Sequence, residues 1–134
     1  MLDNAVLDSS VIAAIFFDED ASIRAKQVAA KHRPITVNWA YAEVGNIAWK
    51  RITKFDGDPD ATVSSLKKCF EYLSSCSLID GLELVEPAVT LSIEHRITFY
   101  DALYVAASEK VGAPLYTLDK KLKAKTKNLN VQLV

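Results

Sequence analysis

Glycine is scarce in this chain: there are four in 134 residues. None stands in GxxxxGK[ST] or GxGxxG, which argues against a phosphate-cradling loop or a dinucleotide site. Cysteine is scarcer still. Cys69 and Cys76 are too few for a disulfide framework. On one helix their spacing sets them about 10 Å apart, beyond the reach of a disulfide. They read instead as two small apolar residues of a core or a partner face. The two histidines, His32 and His95, are isolated, and no Cys/His grouping has zinc spacing. No apolar run exceeds Val11 to Phe17, far too short to span a bilayer. The opening Met1-Leu2-Asp3-Asn4 has no basic region before an apolar stretch, so no signal peptide is expected and a cytoplasmic home is the default. Charge of neither sign dominates. The formal net charge is −1, which does not announce a nucleic-acid binder.

What remains is an ordinary globular composition, half hydrophobic and one quarter charged. Residues 1–134 fit a single domain that buries roughly two thirds of its unfolded surface. Short apolar strands alternate with amphipathic helices. Strands are expected at Val6–Asp8, Ile35–Val37, Leu82–Val85, Leu115–Thr117 and Asn130–Leu133. Helices are expected at Ser9–Phe17, from Asp20 as cap to His32, from Asn38 as cap to Lys54, from Asp58-Pro59 to Ser75, from Glu86-Pro87 to His95, and from Thr98 to Gly112. A short lysine-rich helix follows Asp119. Unbroken apolar strands joined by helices predict an α/β fold: a three-layer α/β/α sandwich around a short-stranded, mostly parallel sheet.

Four acids stand where a strand or loop hands over to a helix: Asp8, Glu43, Asp101 and Asp119. In a parallel sheet the carboxyl ends of the strands form the ligand-binding edge. All four are expected to converge there. Each alone has a plainer explanation as a helix cap or a solvated charge. Four caps need not meet, whereas this architecture gathers all four. Carboxylates together without Arg or His repel one another, and a hard divalent cation, Mg²⁺ or Mn²⁺, relieves that repulsion. Lys120, Lys121, Lys123, Lys125 and Lys127 crowd the segment after Asp119. They face either phosphate or only water. For the smaller group Lys50, Arg51 and Lys54, a solvated helix end is the preferred reading.

The local sequences Val6-Leu7-Asp8-Ser9-Ser10, Ala42-Glu43, Phe99-Tyr100-Asp101-Ala102-Leu103-Tyr104 and Thr117-Leu118-Asp119-Lys120 resemble the PIN-domain family. Within it they are most similar to the VapC-type toxin ribonucleases. The resemblance runs from about residue 5 to the C-terminus. After Glu43 this chain has Val44-Gly45-Asn46, where relatives often carry a branched apolar pair. The resemblance implies a metal-dependent endoribonuclease with Asp8, Glu43, Asp101 and Asp119 as metal-binding acids. It also implies Ser9 and Thr117 as supporting residues, Mg²⁺ or Mn²⁺ as cofactor, an RNA substrate, a small antitoxin and a homodimer. Trp39, Tyr41 and Trp49, with Phe70, Tyr72 and Cys69, are candidates for that protein surface. Two other classes remain open: a non-catalytic protein-binding module of the same fold, and a receiver-like phospho-acceptor domain. The receiver reading needs an acceptor Asp at a mid-chain strand end. Asp80 is expected to precede its strand, which ranks that reading low.

Overall fold

A computed structural model describes all residues, 1–134. Five strands, β1 (Asp3–Leu7), β2 (His32–Val37), β3 (Ser77–Ile79), β4 (Leu115–Thr117) and β5 (Val131–Leu133), form one sheet in the order β3-β2-β1-β4-β5. Every pairing is parallel. The helices are α1 (Ser9–Phe16), α2 (Ser22–Lys31), α3 (Ala40–Thr53), α4 (Pro59–Ser75), α5 (Val85–His95), α6 (Phe99–Val111) and α7 (Lys120–Lys125).

The central strand shows why the sheet is covered on both faces. Successive side chains of a strand point to opposite faces. Ala5 and Leu7 therefore join one core, with α1, α3 and α4, while Val6 joins the other, with α5 and α6. A strand apolar at every position can satisfy both layers. Helix α6 is buried from Ala102 through Ser108, so it is the inner helix of its layer. It stops at Gly112, which takes the left-handed conformation (φ 65°) that glycine adopts without a Cβ penalty. Asp58 and Pro59 start α4 as expected: the Asp58 carboxylate accepts from Ala61 N at 2.8 Å, and proline occupies the first turn.

The structure corrects several sequence-based expectations. The third strand is Ser77–Ile79, not Leu82–Val85; Gly81–Leu84 is a turn of 3-10 helix, and Val85 begins α5. Leu82 is 81% exposed, so the apparent strand alternation there does not mark a buried face. The Asp80 carboxylate accepts from Leu82 N and closes the turn. Asp80 thus follows its strand rather than preceding it. The receiver-like reading still fails, because that topology places β1 beside β3, whereas here β2 lies between them. Asp20 does not cap α2. Ser22 Oγ instead accepts from Glu19 N and donates to the Phe17 carbonyl. Asn38 does not cap α3 either. Its side chain is drawn across to the turn after β3, accepting from Gly81 N at 2.9 Å. Pro34 lies inside β2, but before the first β2–β3 pair, Ile35 with Ser77, so its missing N–H breaks no bond to β3.

Candidate active site

The carboxyl edge of the sheet carries the acids. Asp8 follows β1 directly, and Asp119 lies two residues beyond β4. Glu43 and Asp101 occupy the first turns of α3 and α6. Each local structure has its own cause. Asp8 caps α1 by accepting from Val11 N at 3.1 Å. Thr98 caps α6 by accepting from Asp101 N at 3.1 Å. Asp119 caps α7, accepting from Lys121 N at 2.9 Å and Leu122 N at 3.2 Å. The plain capping role is therefore real for Asp8 and Asp119. It does not exhaust either carboxylate, because one oxygen suffices for a cap.

The acids also perturb one another. Asp8 is buried, and burial pushes its carboxyl up from an ordinary 3.8 to about 6. Hydrogen bonds from Ser10, Thr117 and Val11 pull the other way, and the Asp101 charge adds to the rise. Glu43 is raised as well, by burial first and then by the charges of Asp8 and Asp101. Asp101 is raised by burial and by Asp119, with Thr98 and Lys125 opposing. Asp8, Glu43 and Asp101 thus form the inner group, and exposed Asp119 sits at its rim beside Asp101. No lysine, arginine or histidine forms a salt bridge with any of the four.

Two residues that the sequence reading left out of the site hold it in place. Ser10 Oγ donates to Asp8 Oδ1 at 2.5 Å and accepts from Leu118 N at 3.1 Å, which ties the ends of β1 and β4 together. Tyr104 Oη donates to Glu43 Oε1 at 2.5 Å. That bond and burial hold the Tyr104 phenol strongly protonated. Tyr104 follows Asp101 by three residues on a helix, which puts both on one face, so helical spacing was the signal for it. Ser9 lies beside Glu43 and Tyr104 and works weakly against the rise in both. Thr117 is fully buried. Its hydroxyl accepts from Asp119 N at 3.1 Å and favours the ionised form of Asp8. The lysines divide. Lys120 and Lys121 are exposed. Lys123 Nζ donates to the Val131 carbonyl at 2.6 Å and Lys125 Nζ to the Arg96 carbonyl at 3.0 Å. Both of these are anchored within the fold.

Beyond Glu43 a cleft of about 400 Å³ opens between Ser9, Asn46, Lys50 and the rings of Trp39 and Tyr100. Lys50 is therefore part of a wall that also carries the acid, rather than a remote helix end. Arg51 pairs with Glu19 at 3.1 Å, and Lys54 lies over the Trp49 ring.

A model of the PIN domain family matches residues 5–128. The chain belongs to the PIN domain family. Among curated relatives it is 32% identical to Ribonuclease VapC3 of Pyrobaculum aerophilum, over 90% of this chain and 92% of that one. It is 31% identical to Exonuclease VapC9 of the same organism, over 91% and 85%. A solved chain in a toxin–antitoxin complex from Klebsiella pneumoniae superposes with a TM-score of 0.72 at 19% identity, covering 96% of both chains. The PIN fold in this chain is the three-layer sandwich with the parallel sheet described above.

The donor set suits a hard cation. Its atoms are carboxylate oxygens, one of them on a buried acid with no cationic partner. No three acidic, imidazole or thiol groups close on a single point. A cation such as Mg²⁺ needs no such cage, since it keeps several waters and takes one or two carboxylates.

Proposed function

We propose that residues 1–134 act as one metal-dependent endoribonuclease, the toxin of a toxin–antitoxin pair, working in the cytoplasm. The observation that carries this reading is the group Asp8, Glu43 and Asp101. They are mutually repelling, part-desolvated and unpaired with any cation on the ligand-binding edge of a PIN-domain sheet. The names of the VapC relatives support the reaction class. No helix is long and apolar enough to cross a membrane.

Asp8 and Asp101 are the proposed ligands of Mg²⁺ or Mn²⁺, with Asp119 acting through water at the rim. Once bound, such an ion lowers the pKa of a bound water and stabilises charge on the phosphate and departing oxygens. The chain supplies the rest. Glu43 takes the proton of the attacking water. Its raised proton affinity moves it toward the working pH, as general base catalysis requires. Tyr104 fixes its orientation, and Ser9 favours its ionised form. The water oxygen bonds to phosphorus, one P–O ester bond breaks, and the released ribose oxygen takes a proton from solvent. Ser10 and Thr117 favour the ionised form of Asp8 against the larger opposing effect of burial. Lys120 and Lys121 lie free at the rim to track the phosphate backbone. Lys123 joins them only by giving up its bond to Val131.

Cleavage of a mixed RNA should require Mg²⁺ or Mn²⁺ and stop with EDTA. A circular RNA distinguishes endonuclease from exonuclease, since only the former opens it. Undiminished cleavage by a folded Asp8→Asn/Asp101→Asn double mutant would falsify the assigned site. An antitoxin is proposed as a partner that sends a basic side chain among the acids. A homodimer is proposed as the resting state.

A further inference from the structure

The indole of Trp39 and the phenol of Tyr100 lie parallel, with ring centroids 6.0 Å apart and planes 3° from coincidence. This is an offset stack. Phe99 braces Tyr100 edge-on at 6.0 Å. The stack is not a core element: Trp39 is 45% exposed and Tyr100 is 51% exposed. Nor does it serve helix termination, because Trp39 makes no side-chain cap bond at the start of α3. Its place in the sequence is notable. Trp39 is one helical turn before Glu43, and Tyr100 immediately precedes Asp101. The two rings therefore rise from the same first turns that carry two of the site acids.

The stack separates two clefts. On one side lie Ser9, Glu43, Asn46 and Lys50. On the other is a more apolar cleft of about 460 Å³, floored by Leu82, Val85, Phe99 and Leu103. Both rings line both clefts. A phosphodiester held at the acids has its neighbouring base within reach of this wall. A flat aromatic surface beside a cation and hydrogen-bonding side chains is the surface an unstacked base takes. A paired base cannot use it, because both of its faces are already covered within the duplex. Lys50 and Asn46 stand beside the rings on the Glu43 side, where they suit the phosphate and the polar edge of a stacked base.

We propose that the Trp39–Tyr100 stack is a base platform that holds an unpaired nucleotide next to the scissile phosphate. This rests on the ribonuclease reading. The platform adds ground-state and transition-state binding equally, so its loss raises KM and leaves kcat nearly unchanged.

Trp49 is the only other tryptophan. In a Trp49→Phe protein, Trp39 fluorescence reports the platform alone. With EDTA present, a single-stranded oligoribonucleotide should quench it saturably. A duplex of the same length, or the same strand carrying an abasic ribose at the platform position, should bind roughly 5- to 100-fold more weakly. Tyr100→Ala should show the same loss, and Trp39→Phe should retain cleavage with a near-normal KM. The abasic arm needs no protein variant, so misfolding cannot obscure it. Equal affinity for duplex and single strand, or Trp39→Ala cleaving with unchanged KM, overturns the platform and leaves the nuclease standing. Saturable quenching without any metal-dependent cleavage overturns the nuclease instead. A fluorescence blue shift that grows with protein concentration and ignores RNA would make this face a contact between copies of the chain, and overturns the proposal.

Discussion

Replacing Asp8 by Asn should stabilise the metal-free protein while abolishing its activity. Asn caps a helix about as well as Asp, so the bond from Val11 N survives. Ser10 retains an oxygen acceptor in the amide. What disappears is a buried charge. The displacement of the Asp8 carboxyl from 3.8 to about 6 is worth about 3 kcal/mol. The sign follows from linkage. Below pH 3.8 Asp8 is protonated in both folded and unfolded chains and contributes no difference. Between 3.8 and about 6 the folded chain keeps a proton that the unfolded chain has lost, so stability falls as pH rises. Above about 6 the whole penalty is present. Asn carries none of it. At pH 7.5 with EDTA, Asp8→Asn should melt about 10 °C above the wild type for a chain of this size, and the gap should close as pH falls through that window. Calorimetry at several pH values measures both features. A variant no more stable than wild type at pH 7.5, or a gap that persists at acid pH, would refute the assignment of a desolvated, unpaired charge to Asp8.

Other consequences are open to measurement. Mn²⁺ should stabilise the wild type by mass action, by about 2.7 kcal/mol at a hundredfold excess over Kd, and so raise its melting temperature. Asp101→Asn should melt at or above wild type without metal and respond less to it, and an equal response would place the ion elsewhere. Tyr104→Phe removes a bond that lowers the Glu43 pKa, so the acidic limb of the pH–rate profile should move to higher pH; an unmoved limb would remove Glu43 as base. Neutralising Lys120 and Lys121 should flatten the salt dependence of RNA binding by up to roughly 0.7 per lost phosphate contact. Neutralising Lys123 should cost stability as well, since its ammonium is bonded to β5. Co-expression with the adjacent small open reading frame should yield a complex without nuclease activity, and a chain that stays monomeric and captures no neighbour ends the toxin reading.

Much of the fold was legible from local chemistry. The Ala5-Val6-Leu7 run declares a strand buried on both faces, and Asp58-Pro59 and Gly112 mark helix boundaries whose causes lie within a few residues. β3 was not legible. Ser77-Leu78-Ile79 is short and half exposed, and it becomes a strand only because β2 offers it an edge. Leu82-Glu83-Leu84-Val85 alternates like a strand, yet Asp80 turns it into a helix start. Asp20 and Asn38 did not cap, for different reasons: α2 starts without any side-chain cap, and a turn across the sheet recruited Asn38.

The candidate site divides in the same way. Sequence by itself determined which residues carry charge and which end of each strand they follow. It also determined that Tyr104 shares a helix face with Asp101. Tertiary structure alone decided that Ser10 should bridge Asp8 to Leu118, that Tyr104 should reach Glu43 across 61 positions of chain, and that Lys123 and Lys125 should serve the fold. It also decided that Trp39 and Tyr100 should stack. Periodicity and capping are properties of neighbours in the chain, and a sequence displays them directly. Strand order sets which distant segments become neighbours, and it is fixed by the packing of two layers against both faces of the sheet.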